Sequence, residues 1–345
     1  MIDRGFWRGR RVLLTGHTGF MGAWLALWLH ELGARVTGFA TAPPTDPSLF
    51  ELARVGELLD DRRGDVRDAA AVSAAVASAR PEVVLHLAAQ ALVRQGVRDP
   101  VATYEVNVMG TAHVLDAVRA AAPQAAVVVV TSDKCYAHDG SRRPFREDDP
   151  LGGSDPYSSS KAAQELVAGA MRETFGLRLA TARAGNAIGG GDWAADRLVP
   201  DLFAAALAGR PLLVRSPGAV RPWQHVLDPL DGYLRLVERL SESGDCATAW
   251  NFGPPAEDER TVAWLVERLR AAWPGPLEVT VASDGPPAAE APWLGLDSSQ
   301  ARERLGWRGQ RTLAEGLADT AAWYAALRRG EDMRAVTVGQ IPGLA

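Results

Sequence analysis

The chain has 345 residues, 47% of them hydrophobic and 23% charged, with a formal net charge of −5. This composition allows one large or two ordinary domains around a sizeable core and excludes a disordered chain. The modest acidic balance, with no basic run longer than RGRR, gives no electrostatic case for a nucleic-acid partner, and no apolar run nears the roughly 18 residues of a membrane span.

The opening MIDRGFWRGRR lacks the apolar core of a signal peptide, so the expected location is the cytoplasm. RVLLT, from about Arg11, reads as a short strand, GHTGFMG as a turn, and AWLALWLHELG as an apolar helix ended by Gly33. Within the turn, Gly16, Gly19 and Gly22 stand as G-x-x-G-x-x-G between strand and helix. Such a turn needs positive φ and close backbone approach, so that a diphosphate can rest on the free N–H groups of the helix N-terminus. A tight turn with no ligand is the alternative, and the strand before and helix after favour a dinucleotide.

ARVTGFA follows as a second strand, and its end, GFATAPPTDP, carries no acidic residue before Asp46. The usual carboxylate partner of the ribose 2′-hydroxyl is therefore missing. Arg35 lies at the opposite end of that strand, so no Arg awaits a 2′-phosphate either, and these residues leave NAD and NADP both open. Asp65 and Val66 come after a third strand position; Asp65 either hydrogen-bonds an adenine or caps the helix that follows.

PEVVLHLAA and AAVVVVTS are further strands, separated by the helical stretches DAAAVSAAVASA and NVMGTAHVLDAVRAA. AVVVV is β-branched and continuous, as expected of a strand buried on both faces. His86, in the fourth strand, is expected in the core or lining a cofactor, not carrying protons. The alternation predicts an α/β chain: a Rossmann doubly wound parallel sheet with helices on both faces over residues 1–183, to which the chain returns near 225–250. After about residue 180, GNAIGGGDW, GRPLLVRSPGAVRPW and GPPAEDER bring glycine, proline and tryptophan into irregular segments, so 184–345 mainly forms a smaller α/β substrate domain.

Lys and Arg total 37, yet Lys occurs only at 134 and 161, leaving 37 − 2 = 35 Arg. Arg is never deprotonated in proteins, whereas a buried Lys shifts its pKa and can serve as a base or tune a neighbour. Tyr157 and Lys161 form Y-x-x-x-K, one helical turn apart on one face. A cationic amine beside a phenol favours phenolate, a base able to take an alcohol proton as hydride leaves for a nicotinamide. Lys134 sits in TSDKCY, directly after a strand. Cys135 and Cys246 have no C-x-x-C spacing, and Cys135 reads as a small buried residue. The six histidines form no H-x-x-x-H pair, so no metal site is expected.

Taken in order, GHTGFMG, HLAAQ, TSDKCY, DPYSSSKAAQE, RAGNAIGGGDW and RPWQHV resemble the extended short-chain dehydrogenase/reductase superfamily of NAD-dependent epimerases and dehydratases, and within it the CDP-glucose 4,6-dehydratases. The similarity spans about residues 7 to 325. In that family C4 of the hexose is oxidised with tightly held NAD, water leaves across C5 and C6, and hydride returns to C6. The product is CDP-4-keto-6-deoxyglucose, a precursor of deoxysugars. The resemblance implies a cofactor site at Gly16, His17, Thr18, Gly19, Phe20, Met21, Gly22, Asp65, Val66, Leu87, Ala88, Ala89, Gln90 and Asn107, with Tyr157 and Lys161. It implies a substrate site at Gln90, Asn186, Arg197, Leu198, Arg215 and Arg221; guanidinium suits a diphosphate because it donates two parallel bonds. Trp193 and Trp223 are candidates to border the base.

The same resemblance assigns Ser132 to the C4 oxygen, Tyr157 to the proton it loses, and Lys161 to the ribose and to lowering the Tyr157 pKa. Asp133 matches the acid that protonates the departing C6 hydroxyl, a task that calls for a raised pKa. Related dTDP-sugar dehydratases have a carboxylate where this chain has Lys134, so its amine is a candidate C5 base, aided by the cation of Lys161, or else a positioning cation. A homodimer is implied, with two helices from each protomer in a four-helix bundle. One would be AAQELVAGAMRETF, with Leu166, Val167, Ala170 and Met171 as the face to bury. A nucleotide-sugar 4-epimerase would share the Tyr–Lys pair but needs no Asp133–Lys134, and a dinucleotide-sensing regulator could dispense with Ser132, Tyr157 and Lys161.

Overall fold

The structure is a computed structural model that describes residues 2–138, 140–281 and 294–343. Residues 282–293 and 344–345 of the expected substrate domain lie outside the described residues.

The strands are β1 (Arg11–Thr15), β2 (Arg35–Ala40), β3 (Asp60–Arg63), β4 (Val83–His86), β5 (Ala126–Val130), β6 (Leu179–Arg183), β7 (Ala187–Ile188), β8 (Leu212–Val214), β9 (Val220–Pro222), β10 (Gln224–His225), β11 (Ala249–Asn251), β12 (Glu259–Thr261) and β13 (Val279–Val281). The helices are α1 (Arg4–Trp7), α2 (Phe20–Glu31), α3 (Leu49–Leu52), α4 (Ala69–Ala79), α5 (Val93–Arg98), α6 (Pro100–Tyr104), α7 (Gly110–Ala121), α8 (Pro156–Phe175), α9 (Leu198–Leu207), α10 (Leu227–Glu242), α11 (Val262–Ala272), α12 (Ser299–Arg304), α13 (Leu313–Arg328) and α14 (Met333–Gly339). A π-helical turn, Glu105–Met109, joins α6 to α7, and a 3-10 turn, Asp133–Cys135, follows β5.

Seven strands form one sheet in the order β11-β6-β5-β4-β1-β2-β3, all parallel. Along β5, Ala126 and Val128 enter the core on one face while Val127 and Val129 enter the core on the other. That period of two, with apolar residues at every position, is why AVVVV is stable only between two helical layers. The strand order reverses at β1 and β4, and the carboxyl ends there open the crevice in which such sheets bind ligands. The chain leaves the sheet after β6 and returns through α10 to β11, which pairs parallel with β6. Between and beyond these, β7 with β10, β9 with β12 and β8 with β13 make three two-stranded pairs.

Local signals place α8, which carries the Tyr–Lys pair. The Asp155 side chain accepts from Ser158 N, Pro156 takes the first helical position, and Gly176 ends the helix at φ 63. No helix among the described residues is long and apolar enough to cross a membrane.

Candidate active site

The glycine turn meets its steric requirement twice. Gly16 has φ 76, and a Cβ there would lie 2.7 Å from Ala88 N; a Cβ at Gly22 would lie 2.1 Å from Gly16 O. Gly19 is the N-cap of α2 without any side-chain partner, and a Cβ there would meet only Gly16 O, at 3.4 Å. The first-turn N–H groups of α2 therefore face an open cradle, which fits a dinucleotide diphosphate. Thr18 is buried in the turn, and Phe20 and Met21 begin α2 half-buried.

His17 packs over β2 and pairs with β3. It is buried, its Nε2 is 2.8 Å from Asp61 Oδ1 on β3, and its ring lies so close over Gly38 that a Cβ there would be 2.5 Å from Cγ. Asp65 is not the cap of α4, a role that Asp68 takes; its carboxylate is held by Arg67 Nε and Nη2 at 3.0 and 2.6 Å. The Arg67 hydrogen bond keeps the Asp65 carboxyl below its ordinary range. Val66 is buried beside it, its carbonyl bonded to His113 Nδ1.

The loop after β4 brings Leu87, Ala88, Ala89 and Gln90 beside the glycine turn, where Ala88 N donates to Thr15 Oγ1. Asn107, in the π-helical turn, is buried and fixes this loop: its Oδ1 accepts from Gln90 N at 2.9 Å and its Nδ2 donates to Gln90 O and to Ser160 Oγ. A π-turn often marks a functional site, and here it turns the Asn107 amide toward α8.

At the end of β5 the catalytic candidates converge. Ser132 Oγ donates to Asp133 Oδ1 at 2.9 Å, and Asn186 Nδ2 donates to Asp133 Oδ2 at 3.1 Å, so Asp133 is buried and held from two loops. Asn186 adopts φ 50, which turns its amide inward after β6. Lys134 is half-buried in the same 3-10 turn, its N–H directed to Ser132 Oγ at 3.2 Å.

Tyr157 is 7% exposed. Burial pushes its phenol up to about 12, opposed by hydrogen bonding with Ser132 and by Arg197, with Asp133 and Asp155 pushing the same way as burial. The charges acting most on the phenol are thus not those of the resemblance alone, since Lys161 is turned toward Val130 O at 3.3 Å and Gln164 Oε1 at 2.9 Å. Burial brings the Lys161 amine down to about 8, with Glu165 and Cys135 opposing. Cys135 is buried, and its thiol is pushed well up by burial, as suits a packing residue and not a nucleophile.

Behind this group, Glu165 accepts from Thr131 Oγ1, Thr181 Oγ1 and Arg183 Nη2, a buried ion pair that ties α8 to β5 and β6. His86 lies in the core, as expected, with burial bringing its imidazole down to about 3.

The remaining substrate candidates lie on segments after β7. Arg197, at the N-terminus of α9, donates to Asp192 Oδ2 and Ala91 O, and Leu198 packs against the core beside it. Arg215 donates to Asp196 Oδ1 at 3.1 Å, and Arg94 of α5 reaches the same oxygen at 2.7 Å. Burial raises the Asp196 carboxyl, but Arg215, Arg94 and Arg98 outweigh it and the net shift is down. Arg94 and Arg98 escape sequence reading because most of the 35 arginines are solvated surface (37 − 2). Arg221 is nearly buried on β9. Trp193 and Trp223 pack inward, Trp193 edge-on to Tyr324 and Trp223 with its Nε1 bonded to Arg260 O.

A glycine cradle under a helix N-terminus, with Ser132 at the end of β5 and the Tyr157–Lys161 pair on α8, defines a short-chain dehydrogenase/reductase site. The chain belongs to the NAD dependent epimerase/dehydratase family, whose model matches residues 12–253. It is 45% identical to a CDP-glucose 4,6-dehydratase of Salmonella typhimurium, over 96% of this chain and 95% of the relative. It is 28% identical to a UDP-glucose 4-epimerase of Mycolicibacterium smegmatis, over 91% and 98%. Among solved structures, a dTDP-glucose 4,6-dehydratase of Streptomyces venezuelae with NAD bound aligns with TM-score 0.78 and 26% identity, covering 94% of this chain and 99% of that one.

Proposed function

We propose that the protein is a nucleotide-sugar 4,6-dehydratase that converts CDP-glucose to CDP-4-keto-6-deoxyglucose with bound NAD. The observation that carries this reading is Asp133, buried next to Ser132 and held by Asn186, in the same turn as Lys134. A 4-epimerase has no elimination to catalyse and needs no acid there; the 45% identity to a CDP-glucose 4,6-dehydratase supports the same choice.

NAD, when bound on the α2 cradle, supplies the acceptor for the C4 hydride and the donor for its return at C6. Ser132 holds the C4 oxygen, and Tyr157 takes its proton. A phenol pushed up to about 12 is almost wholly protonated at neutral pH, so Tyr157 relies on the cation of Lys161 and on Ser132 to stabilise phenolate. With C4 a ketone, the C5 proton is acidic, and Lys134 removes it. Asp133 gives its proton to the C6 hydroxyl, which leaves as water. Hydride then reaches C6, Lys134, in exchange with solvent, returns a proton to C5, and the proton taken by Tyr157 is released through solvent as Asp133 regains one; the sum is loss of one water.

Arg197, Arg215, Arg221, Leu198, Gln90 and Asn186 are assigned to the nucleotide diphosphate and hexose, and residues from 184 onward, apart from the return through α10 and β11, to the sugar-nucleotide domain. Residues 1–183 with that return hold NAD. A homodimer is supported by apolar side chains exposed on adjoining elements, Val97, Val101, Tyr104, Met109 and Leu166 on α5, α6, the π-turn and α8. Val167 and Met171 pack inward instead, leaving Leu166 and Ala170 to meet the second copy. Two buried, unbridged cysteines suit the reducing cytoplasm.

The test is incubation with CDP-, UDP- and dTDP-glucose, reading the alkali-induced absorbance of a 4-keto-6-deoxy sugar. Product from CDP-glucose is expected; interconversion of glucose and galactose nucleotides without that absorbance would favour epimerisation.

A further inference from the structure

Lys161 makes a contact that the Tyr–Lys motif does not include: its Nζ donates to Gln164 Oε1 at 2.9 Å, one turn along α8. Gln164 is fully buried, and so are the next members of the chain behind it, Thr111, His86 and Thr15. Gln164 Nε2 lies 2.7 Å from Thr111 Oγ1, Thr111 Oγ1 lies 3.0 Å from His86 Nε2, and His86 Nδ1 lies 2.7 Å from Thr15 Oγ1. The chain ends on backbone at both sides, with Thr111 Oγ1 at 2.6 Å from Asn107 O and Ala88 N donating to Thr15 Oγ1.

These two ends force the polarity of every link. A carbonyl only accepts, so the single Thr111 hydroxyl proton goes to Asn107 O. Thr111 Oγ1 must then accept from both Gln164 and His86, which fixes His86 as the Nε2–H tautomer. Its bare Nδ1 accepts from the Thr15 hydroxyl, whose oxygen is left to receive Ala88 N–H. An ammonium only donates, so Gln164 presents its oxygen to Lys161, the orientation Thr111 also requires. Flipping the amide would set NH₂ against the ammonium and a carbonyl against a hydroxyl whose proton is already used, two buried mismatches at once.

We infer that Gln164 is a positioning residue for Lys161, and that the Thr15–His86–Thr111 chain locks its carbonyl oxygen onto the ammonium. The chain starts at the end of β1, beside Gly16, and ends at the lysine, so the cradle and the Tyr–Lys pair are held by one buried network. Two of the three ammonium N–H groups are spent on Val130 O and Gln164 Oε1, which aims the third; that its target is the cofactor ribose rests on the function proposed above.

Gln164 also stabilises the charged form of Lys161 against the burial that brings it down to about 8. The ionisable groups facing Lys161 are Glu165 and Tyr157 on its own helix, Cys135 from the turn after β5, and His86 from β4. Glu165 is paired with Arg183, and burial keeps the Cys135 thiol protonated and His86 neutral, so none of these replaces the Gln164 oxygen.

The test measures kcat against pH with CDP-glucose, together with NAD retained through gel filtration. Loss of the cation sets the alkaline limb. Gln164→Ala removes an acceptor of the ammonium, so the limb should move down by about one pH unit, and Gln164→Glu supplies an anionic acceptor and should move it up by a similar amount. Thr111→Val should act like Gln164→Ala, and Thr111→Ser, which keeps the hydroxyl, should restore the wild-type profile. Limbs within roughly 0.3 pH units of wild type in both Gln164 variants would overturn the inference. So would a downward shift in both, because a merely structural loss has no reason to change sign with charge. Lys161→Met, run in parallel, tests the underlying reading: wild-type retention and turnover there would remove the role of Lys161 itself, whereas a damaged Lys161→Met with unmoved Gln164 profiles would remove only the role of Gln164.

Discussion

Gly185 lies against the Asp133 carboxyl so closely that a Cβ at 185 would stand 1.9 Å from Asp133 Oδ2. The loop after β6 thus forms one wall of the acid's pocket with bare backbone, while its next residue, Asn186, supplies a donor to the same carboxyl. Gly185→Ala should displace Asp133 and lower kcat by roughly a hundredfold, the scale of an ångström-sized misplacement, with a stability loss of about 1–3 kcal/mol. Steady-state kinetics with thermal melting would check it; kcat within threefold of wild type would mean that the acid lies elsewhere.

Tyr157→Phe removes the proton acceptor and little else, since the ring stays in its buried slot. Turnover should fall by about 10²–10⁴-fold while CDP-glucose binding, by calorimetry, stays within a few-fold. Weakened binding with near-normal turnover is the outcome that would sink the assignment.

Lys134→Arg keeps positive charge and roughly the volume, but guanidinium accepts no proton at neutral pH. Oxidation at C4 should survive and elimination should stop, seen as rising nicotinamide absorbance without 4-keto-6-deoxy product. Wild type in deuterated water should place deuterium at C5, and the variant should not. Turnover within about tenfold of wild type, under roughly 1.4 kcal/mol of barrier, would leave Lys134 a positioning cation.

Asp228, at the start of α10, is buried, and burial lifts its carboxyl to about 6 although Gln310 N donates to it at 2.7 Å. A folded pKa above the unfolded one means that its contribution to stability is full below about pH 4 and is lost as pH rises through about 6. Asp228→Asn keeps the acceptor for Gln310 and loses the charge, so it should be more stable than wild type by roughly 2–3 kcal/mol at pH 8, with the gap closing toward pH 4. Denaturant titrations across that range decide it; a constant gap would mean that the effect is not linked to this carboxyl.

Leu166 is 63% exposed on α8, the helix whose Ser159 is hydrogen-bonded to Tyr104. Leu166→Glu should convert a dimer to monomer in light scattering at micromolar concentration, because a charge would be desolvated in the bundle. A wild-type monomer under the same conditions would dispose of the bundle.

The sequence by itself determined what depends on near neighbours. AVVVV, the G-x-x-G-x-x-G turn, the Asp155–Pro156 start of α8 and the Y-x-x-x-K spacing are set by side-chain period, by positive φ and by capping, all of which act within a few residues. They sufficed for the doubly wound fold. Only the tertiary structure decided how polar groups far apart in the chain are shared. The acceptor of Asn186 proves to be Asp133, 53 positions earlier; Gly185 is required by that same carboxyl; His17 pairs with Asp61, 44 positions later. Asp65 could be read as cap or ligand, and the cap reading gave way to Asp68 once both were in place. No local pattern singles out Gln164; the sheet order sets β1, β4 and α7 behind it and fixes the direction of each hydrogen bond. Such pairings are settled by desolvation, because a buried donor or acceptor must find a partner wherever the packed strands bring one, and no local pattern encodes which loop will arrive.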